Sequence, residues 1–141
     1  MRALLDTNVV LDVLLRRAPW LAQAEPLWEA SQAGALESCI SASSLTDIYY
    51  ISRRLVGREK AREIVRACLD VLTVLPVDAA LLEDAFGLAT SDFEDAVQIA
   101  VAKRGSLDAI VTRNVADYAA SELPVCSPAD FARQLKPSEC G

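Results

Sequence analysis

The sequence predicts an α/β fold, a parallel sheet covered by helices on both faces, and three observations predict it. Short apolar runs of strand length alternate along the chain with longer stretches whose apolar residues recur every three to four positions. Several of the runs end abruptly in a polar turn that opens the next helix, as buried parallel strands do. No internal repeat or low-complexity tract interrupts this alternation. Right-handed crossovers then place the carboxyl ends of all strands along one edge, where ligands of such sheets bind.

The first strand is Arg2 to Leu5, closed by Asp6-Thr7-Asn8, and Val9 to Leu15 is long enough for a helix. Pro19 can open a second helix through Leu21, Ala24, Leu27, Trp28 and Ala30, which Gly34 stops. Ser38 to Ser41 reads as a strand, and Ser43-Ser44 lead into a helix from Leu45 to Leu55 with Ile48, Ile51 and Leu55 as its apolar stripe. Arg58 to Leu72 is a charged amphipathic helix, followed by a β-rich run from Leu72 to Val77 and a helix capped by Asp78 that runs to Ala89. Ser91-Asp92-Phe93-Glu94 has the form of a capping box, so a helix starts there and runs to Arg104, with Gly105 after it. Ala109 to Thr112 is an apolar strand turned at Arg113-Asn114, and Pro124 to Cys126 is the last strand. Ser127-Pro128 open a terminal helix to Leu135. Residues 1–135 are expected to form one domain, and 136–141 a frayed tail.

Composition narrows the chemistry. The chain has 141 residues, 52% of them hydrophobic, which suffices for a core that folds alone. A net charge of −6 removes any general electrostatic pull toward nucleic acid, so such binding needs a local patch. Histidine is absent, which excludes histidine-based triads, imidazole general bases and the usual zinc-hydrolase ligand sets. Cys39, Cys68, Cys126 and Cys140 lack any Cys-x-x-Cys spacing and read as free thiols in a reducing cytosol. Neither a secretory signal nor a membrane span is legible, so the expected location is cytoplasmic, without a membrane partner.

Carboxylate chemistry is what remains. Asp6 follows the first strand, Asn114 and Asp117 follow the strand ending at Thr112, and Asp92 and Asp95 lie three apart in the first turn of a very apolar helix. Each acid taken singly is explained by capping, worth about 0.3–1 kcal/mol at a helix N-terminus. Convergence changes the balance, because two carboxylates about 4 Å apart repel by roughly 4 kcal/mol at an effective dielectric near 20. A cluster needs a cation, and oxygen-only ligands point to Mg²⁺ or Mn²⁺. Such an ion suits phosphodiester hydrolysis. Asp12, Asp78 and Asp130 are given no function, Asp12 being read as the solvent side of its helix.

Asp6-Thr7-Asn8 after the opening strand, Asp47 within Ser44-Leu45-Thr46-Asp47-Ile48-Tyr49-Tyr50, the run Asp92 to Gln98, and Val111-Thr112-Arg113-Asn114 followed by Asp117-Tyr118 together resemble the PIN-domain family over nearly the whole chain. Short bacterial members include the VapC-type toxins of type II toxin–antitoxin pairs. The resemblance implies a three-layer α/β/α fold with a five-stranded parallel sheet and a metal-dependent endoribonuclease. It implies Asp6, Asp47, Asp95 and Asp117 as catalytic acids, Asp6 and Asp95 as metal ligands, and Thr7, Asn8, Asp92 and Asn114 in support. It also implies a homodimer and a small antitoxin whose tail enters the acidic pocket, alongside the RNA substrate. Arg113 is a candidate phosphate contact, with Arg16-Arg17 and Arg53-Arg54 farther off. The sequence departs from the family at Asp47, where Glu is more usual, and at Asn114, commonly Asp. A catalytically weakened PIN-like RNA- or protein-binding module is therefore the alternative. A phosphatase of the haloacid-dehalogenase type would need Asp where Asn8 stands, and a receiver domain needs a Lys after the later strand that is not there.

Overall fold

A computed structural model describes residues 1–90 and 92–135. The element order is β1 (Arg2–Leu5), α1 (Thr7–Leu14), α2 (Leu21–Gln32), β2 (Glu37–Ser41), α3 (Ala42–Val56), α4 (Arg58–Val71), β3 (Thr73–Leu75), α5 (Ala79–Phe86), α6 (Phe93–Arg104), β4 (Ala109–Val111), a 3-10 turn at Val115–Tyr118, β5 (Val125–Cys126) and α7 (Pro128–Leu135). The strands form one five-stranded sheet in the order β3-β2-β1-β4-β5, and every neighbouring pair is parallel. The α/β expectation and its five parallel strands are borne out.

Strand alternation divides the core. Ala3, Leu5, Ile40, Ala109 and Val111 face one layer with residues of α1, α2, α3, α4 and α7, among them Val10, Leu27, Ile48, Ile64 and Phe131. Leu4, Cys39 and Ile110 face the other with α5, α6 and Tyr118. A one-residue slip of β1 would exchange these sets, so the apolar pattern fixes the register. β1 is central: the chain leaves it first toward β2 and β3, then returns to its other side as β4. The switch point where ligands bind in such sheets therefore lies between the carboxyl ends of β1 and β4.

Several boundaries differ from expectation. Pro19 lies in the turn before α2, and a different proline, Pro26, sits inside that helix. Ser41 caps α3 by accepting from the Ser44 N–H, so the helix starts earlier than Leu45. Leu55 is 62% exposed and does not continue the buried stripe of Ile48. The helix capped by Asp78 ends at Phe86. Ser91 lies outside the described residues; the cap of α6 is Asp92, whose carboxylate accepts from the Asp95 N–H. The tail 136–141, with Cys140, is also outside them. Cys39 and Cys68 are buried free thiols and Cys126 is half-buried. Among the described residues no helix is long and apolar enough to cross a membrane.

The largest correction concerns Asp12, which is fully buried. Helix α1 ends in a Schellman turn: Arg16 takes φ 52, the Arg17 N–H reaches the Asp12 carbonyl at 2.9 Å and the Arg16 N–H reaches Val13 at 3.2 Å. The turn folds Arg17 back so that its Nε donates to Asp12 Oδ1 at 2.9 Å. Arg113, from the loop after β4, places its Nε 3.1 Å from Asp12 Oδ2 and stacks its guanidinium 3.9 Å from the centroid of the Trp20 ring. One buried carboxylate thus ties α1, the turn after it and the β4 loop. Removing it strands two cations that are 29% and 20% exposed and can partly rehydrate. Asp12→Ala is expected to lower unfolding free energy by about 3 kcal/mol, the low end for a broken buried pair, measurable by urea denaturation.

Candidate active site

Asp6 directly follows β1, and the register that pairs Leu5 with Val111 sets it beside Thr112. Three hydrogen bonds hold it there. Its N–H donates to the Val111 carbonyl at 2.9 Å, Thr112 Oγ1 donates to Oδ2 at 2.8 Å, and the Thr7 N–H donates to Oδ1 at 2.8 Å. The Thr112 hydroxyl also accepts the Asn114 N–H at 3.0 Å, so one buried side chain fastens both the carboxylate and the loop after β4. Each Asp6 oxygen keeps a lone pair for a further partner.

A cleft of about 680 Å³ opens here, lined by Asp6, Thr7, Asn8, Asp47, Asp92, Glu94, Asp95, Asn114 and Asp117 among others. Every catalytic and supporting residue named from the sequence lines it, and Arg113 does not. Arg113, expected as a phosphate contact, stands with its Nε 3.1 Å from Asp12 Oδ2 and its guanidinium over the Trp20 ring. Arg17 is likewise engaged, donating to Asp12 and, at 3.2 Å, to Asn8 Oδ1, which fixes that amide. Arg54 is the base among the lining residues. On α3 the positions Ser44, Asp47, Ile51 and Arg54 recur at three and four, one stripe along the cleft.

The acids fall into two groups. Asp95 is pushed up to about 6, first by burial and then by the charges of Asp92 and Asp6, with Asp117 adding to it. The α6 N-terminus favours the ionised form and does not overcome these. Asp47 is raised by burial alone, and Glu94 is raised first by the Asp47 charge, then by burial and by Asp92 and Asp6. Among the described residues no three acidic or cysteine side chains stand together closely enough to enclose a metal ion. The donor set nonetheless fits a hard cation: it is all-oxygen and mutually repelling, in a cleft with room for waters, as Mg²⁺ requires.

Sequence reading missed the polar floor. Ser44 Oγ contacts Thr7 Oγ1 at 3.0 Å and receives the Gln98 amide at 2.9 Å. Gln98 and Tyr118 are 5% and 1% exposed. The Gln98 Oε1 and the Tyr118 hydroxyl have no hydrogen-bond partner. Spacing gave one hint, since Gln98 lies three beyond Asp95 on the same helical side.

The Asp95 shift carries a sign. The folded value lies above the unfolded one of about 3.9, so its contribution to stability is fully present below pH 4 and is lost as pH rises through about 6. Metal-free Asp95→Asn is expected to be the more stable protein at pH 7.5, by circular-dichroism melting, with the advantage gone near pH 3.5.

Comparison with known proteins bears on this geometry. No curated protein matches the chain significantly. Among solved structures, VapBC from Salmonella typhimurium bound to DNA is similar at TM-score 0.69 and 16% identity, over 91% of this chain and 98% of that one. VapBC2 from Rickettsia felis, bound to a promoter DNA fragment, is similar at 0.66 and 15%, over 90% and 98%. Mycobacterium tuberculosis VapC20, a sarcin-ricin loop cleaving toxin, is similar at 0.62 and 19%, over 77% and 86%. At these identities the likeness is one of fold. The model of the PIN domain matches residues 2–116, well over half of the chain, and the protein belongs to the PIN-domain family.

Proposed function

We propose that the protein is an Mg²⁺- or Mn²⁺-dependent endoribonuclease and the toxin of a type II toxin–antitoxin pair. The observation that carries this reading is the meeting of Asp6 and Asp95 at the switch point of a PIN-domain sheet, where their repulsion calls for a cation. The similar folds of VapC20, a toxin that cleaves the sarcin-ricin loop, and of the VapBC pairs support it. Asp6 and Asp95 would hold the ion. When bound, such an ion polarises a phosphodiester and supplies an activated water.

The chain's own groups do the rest. Thr112 and the Thr7 N–H keep the Asp6 carboxylate in one orientation. Asp47 and Asp117 complete the acidic pocket, with Thr7, Asn8, Asp92 and Asn114 in support. Arg54, on the cleft wall, is the cation placed to meet a substrate phosphate. A groove of about 500 Å³ between α3 and α4, lined by Leu45, Tyr49, Tyr50, Val65 and Leu69, offers the antitoxin an apolar seat. Trp28, in contrast, belongs to the core at 8% exposure.

A binding module that does not cut is the second reading, favoured by the lack of any enclosing group of three ligands among the described residues. Metal titration separates the two. In the nuclease reading, Mn²⁺ at a hundredfold excess over Kd stabilises the protein by about 2.7 kcal/mol, and Asp95→Asn abolishes the gain; no stabilisation at millimolar Mn²⁺ favours the module. Purified protein freed of antitoxin is expected to cut single-stranded or looped RNA with Mg²⁺ or Mn²⁺. Asp6→Asn should slow cutting by at least about a hundredfold, beyond the 10–100-fold typical of losing a group that only supports a ligand. Cleavage persisting in excess EDTA, followed on a gel with labelled RNA, would refute the metal-dependent reading.

A further inference from the structure

The chain has three phenylalanines, and they are placed unequally. Phe131 is fully buried in the core, whereas Phe86 and Phe93 are 80% and 52% exposed. Helix periodicity accounts for both. Phe93 opens α6 on the same side as Ala96, Val97 and Ala100, which are buried, so the apolar stripe of that helix runs out past the core at its N-terminal end. On α5, Leu81 and Ala85 are buried, and Ala79, Leu82 and Phe86 recur at three and four as a second stripe beside them. The two stripes meet. Ala79, Leu82, Glu83, Phe86 and Phe93 line a depression of about 440 Å³, and Leu82 and Phe93 line the acidic cleft as well. The apolar surface is thus continuous with the cleft lined by Asp6 and Asp95. The opposite wall is α3, which lies on the other face of the sheet and carries Arg54.

We infer that Phe93, extended by Leu82 and Phe86, is a stacking platform for an unpaired base of the RNA that enters the cleft. The inference rests on the nuclease reading and extends it to the choice of single strands over duplex. A phosphate and a base make opposite demands. The phosphate needs a cation, which the α3 wall offers at Arg54. The base is uncharged and presents a π-face, which a half-exposed phenyl ring matches. Asp92 and Glu94, on either side of Phe93 in the chain, repel a phosphate and leave a neutral ring unopposed. A strand therefore has one favoured way to cross the cleft, with its backbone toward α3 and a base toward α6. A base within a duplex is already stacked on both sides and offers no free face, so the platform selects single strands. The patch is too small for a stable subunit contact: five side chains line it, against about 20–30 residues a side in a standard interface.

The test compares Phe93→Ala, Phe93→Leu and Phe93→Trp with wild type on a labelled, unstructured RNA in Mn²⁺. Phe93→Ala should raise KM by about 5- to 150-fold, the worth of one base–aromatic stack. Phe93→Leu keeps an apolar side chain without a π-face and should lose nearly as much, whereas Phe93→Trp should restore the wild-type KM or lower it. The calorimetric Kd for Mn²⁺ should be the same in every variant, since the ring carries no donor atom for an ion. An unchanged KM in Phe93→Ala beside normal cleavage by wild type overturns the inference and leaves the nuclease reading standing. Full activity in Phe93→Leu shows general apolar packing and also overturns it, as does a weakened Mn²⁺ Kd in Phe93→Ala, which places the effect on the acids. A changed oligomeric state on ultracentrifugation with KM unaltered assigns the patch to a second copy of the chain and overturns it too. Absence of Mn²⁺-dependent cutting by wild type itself overturns both the nuclease reading and the inference.

Discussion

The parallel pairing of β1 with β4 is the constraint on which the site depends. Their register sets Asp6 one step beyond the last paired residues, where its N–H closes the ladder on Val111 and its carboxylate meets Thr112. The loop after β4 is fastened to the same threonine through the Asn114 N–H. Asp6, Asn114 and Asp117 therefore share a place because two strands pair, and because core residues on both faces forbid any other register. Helix α6 crosses at the same end and brings Asp95.

Gathering acids against one another is unfavourable, and the fold limits the penalty by where it puts them. Asp92 and Asp117 sit at exposed positions where water screens them, and Asp92 spends its charge as a cap. The price is concentrated on Asp95, half-buried and facing Asp92 and Asp6. Under the proposed reading, acids held under strain would favour a cation more than a relaxed, solvated cluster would. In the proposed nuclease reading, a chain of net charge −6 would need a neutralising ion for a phosphate to approach. Arg54 is the one cationic side chain among the lining residues.

Beneath the cleft runs a second polar layer. Asp12 holds Arg17, which fixes Asn8, and holds Arg113, the residue before Asn114. The start of α1 and the loop after β4, both of which carry cleft residues, are thus joined by one buried ion cluster, backed by the Trp20 ring. This explains why a charged residue interrupts the apolar run of α1. It sits at C3 of a Schellman turn, where its backbone and side chain both hold Arg17.

How much was legible depended on the range of the interaction involved. Alternating apolar runs, the Asp78 cap and acids at strand ends are local signals, and from them the sequence determined the α/β class, the parallel sheet and the acids Asp6, Asp92, Asp95 and Asp117 that line the cleft. The roles of Thr112 and Gln98, the burial of Asp12 and Tyr118 and the diversion of Arg113 were decided by tertiary structure alone. Thr112 and Asp6 stand 106 residues apart in sequence, and Gln98 and Ser44 stand 54 apart. A hydrogen bond at such separation leaves no periodicity in the chain. An aspartate in an apolar helix looks the same whether water or two arginines neutralise it, and only the packed neighbours decide which.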